Sequence, residues 1–229
     1  MLILLGVFFM ILSLIVGWML RTRFNQYAEI PLRSGLSGKE VAERMLHDYG
    51  IYDVKIISVP GHLTDHYNPA DKTVNLSPEV YGGRSVAAAA VAAHECGHAV
   101  QHATAYRWLQ MRTALVPVVQ VSSSILNFIF IGSMILGLGF HMFSSETILT
   151  IIVAAQAFIT LFALVTLPVE FDATRRGLAW LNRAGITYGE EHAKAQDALR
   201  LAAMTYVISA LYALSTLIYF ILRLLHSRD

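Results

Sequence analysis

The sequence predicts a mainly α-helical integral membrane protein, with about four transmembrane helices and a small α+β portion on the cytoplasmic side. Three observations carry this. Hydrophobic residues make up 55% of the 229-residue chain and charged residues only 14%, against about 25% charged in an ordinary soluble domain. Four apolar stretches, 2–20, 114–139, 147–169 and 201–222, each come near or above the roughly 20 residues that cross a bilayer core. Most Lys and Arg fall in the intervening segments 21–113 and 170–200, which the positive-inside rule assigns to the cytoplasm.

The stretch 2–20 has no basic n-region and no small-residue cleavage site, and Arg21 and Arg23 follow it; it reads as an uncleaved anchor. Arg33 follows the same stretch, and Arg175, Arg176, Arg183, Lys194 and Arg200 lie in 170–200. The link from His141 to Glu146 has no basic residue. This places the N-terminus outside and the chain in the cell (inner or plasma) membrane as a multi-pass protein. Arg223 and Arg228, after the last stretch, run against that orientation.

Within 21–113, Ser37-Gly38-Lys39-Glu40 reads as a capping box. The helix it starts has Val41, Met45 and Leu46 on one face and Gly50 as its stop. The runs Val54–Val59 and Thr73–Leu76 are β-type, separated by a Gly-, Asp-, Asn- and Pro-rich loop, and predict a hairpin or small antiparallel sheet. Thr73–Leu76 is also a candidate edge for pairing with an extended peptide. Ser85 then caps an alanine-rich helix expected to run through 85–108.

That helix carries His94-Glu95-Cys96-Gly97-His98, an H-E-x-x-H pattern. Residues i and i+4 of a helix share a face, about 40° apart, so both imidazoles can converge on one Zn²⁺. Zinc lowers the pKa of bound water toward about 7, and Glu95 is then placed as general base. Two histidines and a glutamate in a nearly chargeless alanine-rich helix are unfavourable without such a use. His102 lies about 12 Å along the helix from His94 at 1.5 Å per residue, too far to share the ion. It reads as a support for the site or a surface residue. The third ligand is sought at the polar end of the third stretch, where Glu170 is favoured over Asp172; if the helix continues, Glu170 and Thr174 share a face. Asp65, His66 and Tyr67 are candidates to shape a cleft or to tether their loop to the motif helix. Tyr81, Arg175 and His192 are candidate oxyanion stabilisers. Cys96 reads as a small buried residue, and with one cysteine the chain has no internal disulfide.

Four blocks, LTDHYNP (63–69), VNLSPEVY (74–81), SVAAAAVAAHECGHAVQH (85–102) and LPVEFDAT (167–174), resemble the YugP-like membrane zinc metallopeptidases. With the apolar segments the resemblance covers most of the chain. The arrangement is also similar to the HtpX-like and CAAX-processing membrane peptidases, where a later glutamate in an E-x-x-A-D type sequence joins the motif helix. The resemblance implies a zincin-like catalytic portion, His94, His98 and Glu170 as zinc ligands and Glu95 as base. Thr174 stands where the wider group has aspartate, and Asp172 is the nearest acid to take that role. The expected partners are a protein or peptide substrate, membrane proteins included, and the lipid bilayer. A net charge of +1 excludes a basic field for nucleic acid. The competing readings are a zinc-bound membrane adaptor or chaperone without turnover, and a site-2-type intramembrane protease.

Overall fold

The computed structural model describes residues 1–135 and 144–227. The expected end of the second apolar stretch at 136–139, the start of the link at His141, and Arg228 lie outside the described residues. In chain order the elements are α1 (Leu2–Ala28), α2 (Gly38–Asp48), β1 (Lys55–Ser58), β2 (His66–Asn68), β3 (Thr73–Leu76), α3 (Pro78–Tyr81), α4 (Val86–Ala103), α5 (Arg107–Ile135), α6 (Ser145–Arg183) and α7 (Gly189–His226). Among the described residues, α1, α5, α6 and α7 are the four helices long and apolar enough to cross a membrane. Each extends beyond the apolar stretch that announced it.

Two compact units form, and each has its own interior. The first comprises Met1–Ser13, Gln110–Leu167 and Tyr206–Asp229. Two of its helices, α6 and α7, are joined by side-chain polar groups. The Gln156 amide donates to the Ala213 carbonyl at 3.2 Å, and the Thr160 hydroxyl donates to the same oxygen at 3.1 Å. Such hydrogen bonds hold apolar helices together where no hydrophobic effect acts between them.

The second unit, Leu14–Leu109 and Pro168–Thr205, contains the sheet, the motif helix and the continuation of α6. The capping box is present: Glu40 N–H donates to the Ser37 hydroxyl at 3.3 Å, and Ser37 N–H donates to the Glu40 carboxylate at 2.7 Å. Val41, Met45 and Leu46 are buried as one face. The helix ends at Asp48, and Gly50 takes φ +70°, the left-handed conformation that releases the chain.

The sheet differs from the expected hairpin. β1 and β3 are parallel, in the register Lys55↔Thr73 to Ser58↔Leu76. β2, drawn from the segment read as loop, pairs with β3 antiparallel, with Tyr67 opposite Val74. The order is β1-β3-β2. Thr73–Leu76 is therefore the central strand with both edges occupied, and the free edge beside the motif helix belongs to β2. A three-residue strand among turn formers carries too little period-2 pattern to be read from sequence.

Ser85 caps α4 by accepting a hydrogen bond from Ala88 N–H at 3.2 Å. The helix stops at Ala103 rather than near Trp108. Tyr106 N–H donates to the Gln101 carbonyl at 2.9 Å and Ala105 N–H to the His102 carbonyl at 3.1 Å. With Ala105 at φ +50° this is a Schellman stop, made by an alanine where sequence patterns look for glycine. Val86–Ala90, Ala92 and Ala93 are all buried.

Candidate metal centre

α6 does not end at Pro168. It continues to Arg183, and its extension lies against α4 at backbone contact. A methyl group built on Gly97 would stand 2.5 Å from the Ala173 carbonyl oxygen, and one on Gly177 would stand 2.8 Å from that of Ala93. Both are closer than real Cβ contacts allow, so glycine is required at each position. Gly97 fills a free position of the motif; its cost in a helix interior, about 1 kcal/mol relative to alanine, is a signal the sequence reading did not use.

The close packing brings His94, His98 and Glu170 together. One ligand atom from each lies within 4.8 Å of the others. The Glu170 carboxylate oxygen Oε2 is 3.4 Å from His94 Nε2 and 3.5 Å from His98 Nε2. Ligand atoms at about 2.0–2.1 Å from one tetrahedral ion are separated by about 3.3–3.4 Å; the two histidine–carboxylate separations match this, and the whole set, within 4.8 Å, is near enough to close on a single zinc. The donor set, two nitrogens and one oxygen, is also that of hydrolytic zinc sites that keep a fourth position open. Glu170 and His98 are buried and His94 is nearly so.

Asp172 faces elsewhere. It accepts from the Gln101 amide at 3.0 Å, from Arg176 at 2.5 Å and from Arg175. Both imidazoles also have a partner at the ring nitrogen away from Glu170. Thr174 Oγ1 lies 3.1 Å from His94 Nδ1, and Gln101 Oε1 lies 3.1 Å from His98 Nδ1. Thr174, which stands where the wider group has aspartate, thus reaches the His94 ring directly. Gln101, fully buried, had no role in the sequence reading. Its signal was available: a polar side chain three residues after His98 in a helix otherwise lined with alanine.

Glu95 is buried beside this group. Desolvation pushes its carboxyl up to about 7, and the neighbouring carboxylates Glu170 and Asp65 push the same way. His94 and a hydrogen bond from the Tyr67 backbone N–H pull it down. A carboxyl in this range accepts and returns a proton near neutral pH. The Tyr67 contact also sets β2, the free strand edge, against the glutamate.

The remaining candidates separate by their partners. Asp65 accepts from Ser77 N–H at 2.7 Å and from its hydroxyl at 3.1 Å, so it fastens the loop to the start of α3. Tyr67 Oη meets His102 Nδ1 at 2.7 Å, tethering β2 to the end of the motif helix. His66 Nδ1 lies 2.8 Å from the Thr64 carbonyl. The three candidate oxyanion stabilisers each have another partner. Tyr81 lies under the Lys39 ammonium, Arg175 pairs with Asp172, and His192 meets Thr187 Oγ1 at 3.0 Å. Cys96 is buried against the Ala42 carbonyl, and burial pushes its thiol well above the usual range.

Comparison with known proteins agrees with this chemistry. The chain is 37% identical over 224 residues to the "Putative membrane protease YugP" of Bacillus subtilis (strain 168), covering 95% of this chain and 94% of the relative. No solved structure matches it. The family model described as "Putative neutral zinc metallopeptidase" matches residues 2–225, nearly the whole length, and the chain belongs to that family.

Proposed function

We propose that the protein is a multi-pass membrane endopeptidase that hydrolyses peptide bonds with a zinc ion held by His94, His98 and Glu170. The observation that carries this reading is the convergence of two imidazole nitrogens on one buried carboxylate oxygen, at 3.4 and 3.5 Å, one residue from a buried glutamate. Zinc bound there supplies Lewis acidity toward a carbonyl oxygen and toward water. Glu95 acts as general base: its carboxylate takes a proton from the attacking water and later delivers it to the leaving amine. The outer edge of β2, His66–Asn68, lies beside Glu95 and is the edge at which an extended substrate segment would add, taking over the Tyr67 N–H now donated to Glu95. This replaces Thr73–Leu76 in that role. The substrates are proteins or peptides, membrane proteins among them. The distribution of Lys and Arg supports a site on the cytoplasmic side of the cell membrane, with the N-terminus outside.

The ligand assignment is tested by metal analysis of protein purified in detergent. Wild type is expected to retain one zinc per chain. Glu170→Ala loses it on gel filtration, and Asp172→Ala retains it. A wild-type chain that neither holds nor takes up stoichiometric zinc overturns the reading; the reverse result for the two variants moves the ligand to Asp172.

A further inference from the structure

We infer that Gln101 is a positioning residue that fixes which nitrogen of His98 carries the proton, and so presents Nε2 to the metal. The inference rests on the metal site proposed above. Gln101 is on α4 and its side chain reaches α6, with each end of its amide committed. Nε2 donates to the Val169 carbonyl at 2.7 Å and to Asp172 Oδ2 at 3.0 Å. Both partners are acceptors only, so the amide nitrogen must face them, and a flipped amide would set oxygen against two oxygens. Oε1 is then the atom turned to His98 Nδ1 at 3.1 Å. A carbonyl oxygen only accepts, so Nδ1 must be the protonated nitrogen of a neutral ring. On a neutral ring Nε2 then keeps its lone pair, and it is the nitrogen turned to Glu170 at 3.5 Å, where a cation between the two would take both lone pairs.

His94 is held differently. Its Nδ1 meets the Thr174 hydroxyl at 3.1 Å, and a hydroxyl can donate or accept. Thr174 therefore orients the ring without dictating its tautomer. Of the two histidines, His98 is the one whose proton position is set in advance by the fold. Asp172 enters the site through Gln101, as one of the two acceptors that hold its amide, rather than as a ligand. Ring-nitrogen partners of this kind change metal affinity by about 10–100-fold when removed.

The test uses the full-length chain in detergent, labelled with ¹⁵N-histidine. The expected spectrum shows a proton on His98 Nδ1 both with zinc bound, where Nε2 carries none, and after chelation, where Nε2 faces the Glu170 carboxylate and can carry a second; absence of the Nδ1 proton in wild type overturns the inference. Gln101→Leu keeps an apolar side chain in the space but removes the acceptor. It is expected to weaken zinc binding about 10–100-fold in a chelator competition and to lose the protected Nδ1–H signal. Binding at wild-type affinity with an unchanged signal shows that Gln101 only fills space. Adding Asp172→Leu to Gln101→Leu is expected to change the zinc Kd by less than about twofold, because coupled residues do not add. A further tenfold loss gives Asp172 a direct role and overturns the relay. A wild-type chain that binds no zinc ends the metal reading, while its His98 tautomer still reports on Gln101.

Discussion

Glu95→Gln is expected to retain one zinc per chain and to lose at least about 100-fold in peptide cleavage, the lower bound for removing a positioned general base. The amide matches the carboxylate in shape, so the buried position beside His94 remains filled. It cannot take up a proton. The proposed ligands His94, His98 and Glu170 are untouched, so binding and turnover should separate. The measurement is zinc content by mass spectrometry alongside hydrolysis of a quenched-fluorescent peptide library by the same detergent-purified protein. Cleavage by the variant at the wild-type rate would remove Glu95 from the mechanism. Loss of zinc together with activity would instead make the glutamate part of the ion's support.

The second large effect comes from a residue with no side chain. Gly97→Ala places a methyl group 2.5 Å from the Ala173 carbonyl oxygen. Ordinary contact begins at 3.4 Å, so α4 and α6 must part locally by about 0.9 Å, the difference of the two distances. Glu170 is on α6 less than one turn before Ala173, and the histidines flank Gly97 on α4. A zinc site tolerates errors of about 0.2 Å in ligand distance. The variant should therefore bind zinc at least about tenfold more weakly, the low end of the loss seen when a ligand's support is disturbed. Gly17→Ala, where nothing lies within 4 Å, is the control and should bind as wild type does. Chelator competition measures both; equal affinities would mean that helix spacing does not set the metal geometry.

Sequence periodicity made the helices and the metal group readable for a common reason. Long apolar runs identify α1, α5, α6 and α7, and a fixed i, i+4 spacing puts His94 and His98 on one face. Glu170 could be favoured over Asp172 because helical phase alone sends two residues two positions apart to different faces. Non-local pairing left no such trace. The parallel match of β1 with β3 depends on β2 lying at the far edge of β3, and His66–Asn68 is too short to show a pattern. The stop at Ala105 used an alanine in a conformation that usually selects glycine. Gln101 and Thr174 matter through the atoms they face across the α4–α6 contact, and a linear sequence shows residue type without facing. Gly97 was legible in principle, since a glycine inside an alanine-rich helix needs a reason, but the partner carbonyl was not.

The deep placement of Cys96 has a practical consequence for mapping orientation. The chain has a single native thiol, sealed off from solvent and held in its unreactive form. Impermeant maleimides should leave folded wild type unlabelled, so cysteines introduced singly at exposed sites such as Tyr52 would report which side of the bilayer they occupy against a silent background, with the native helix left intact.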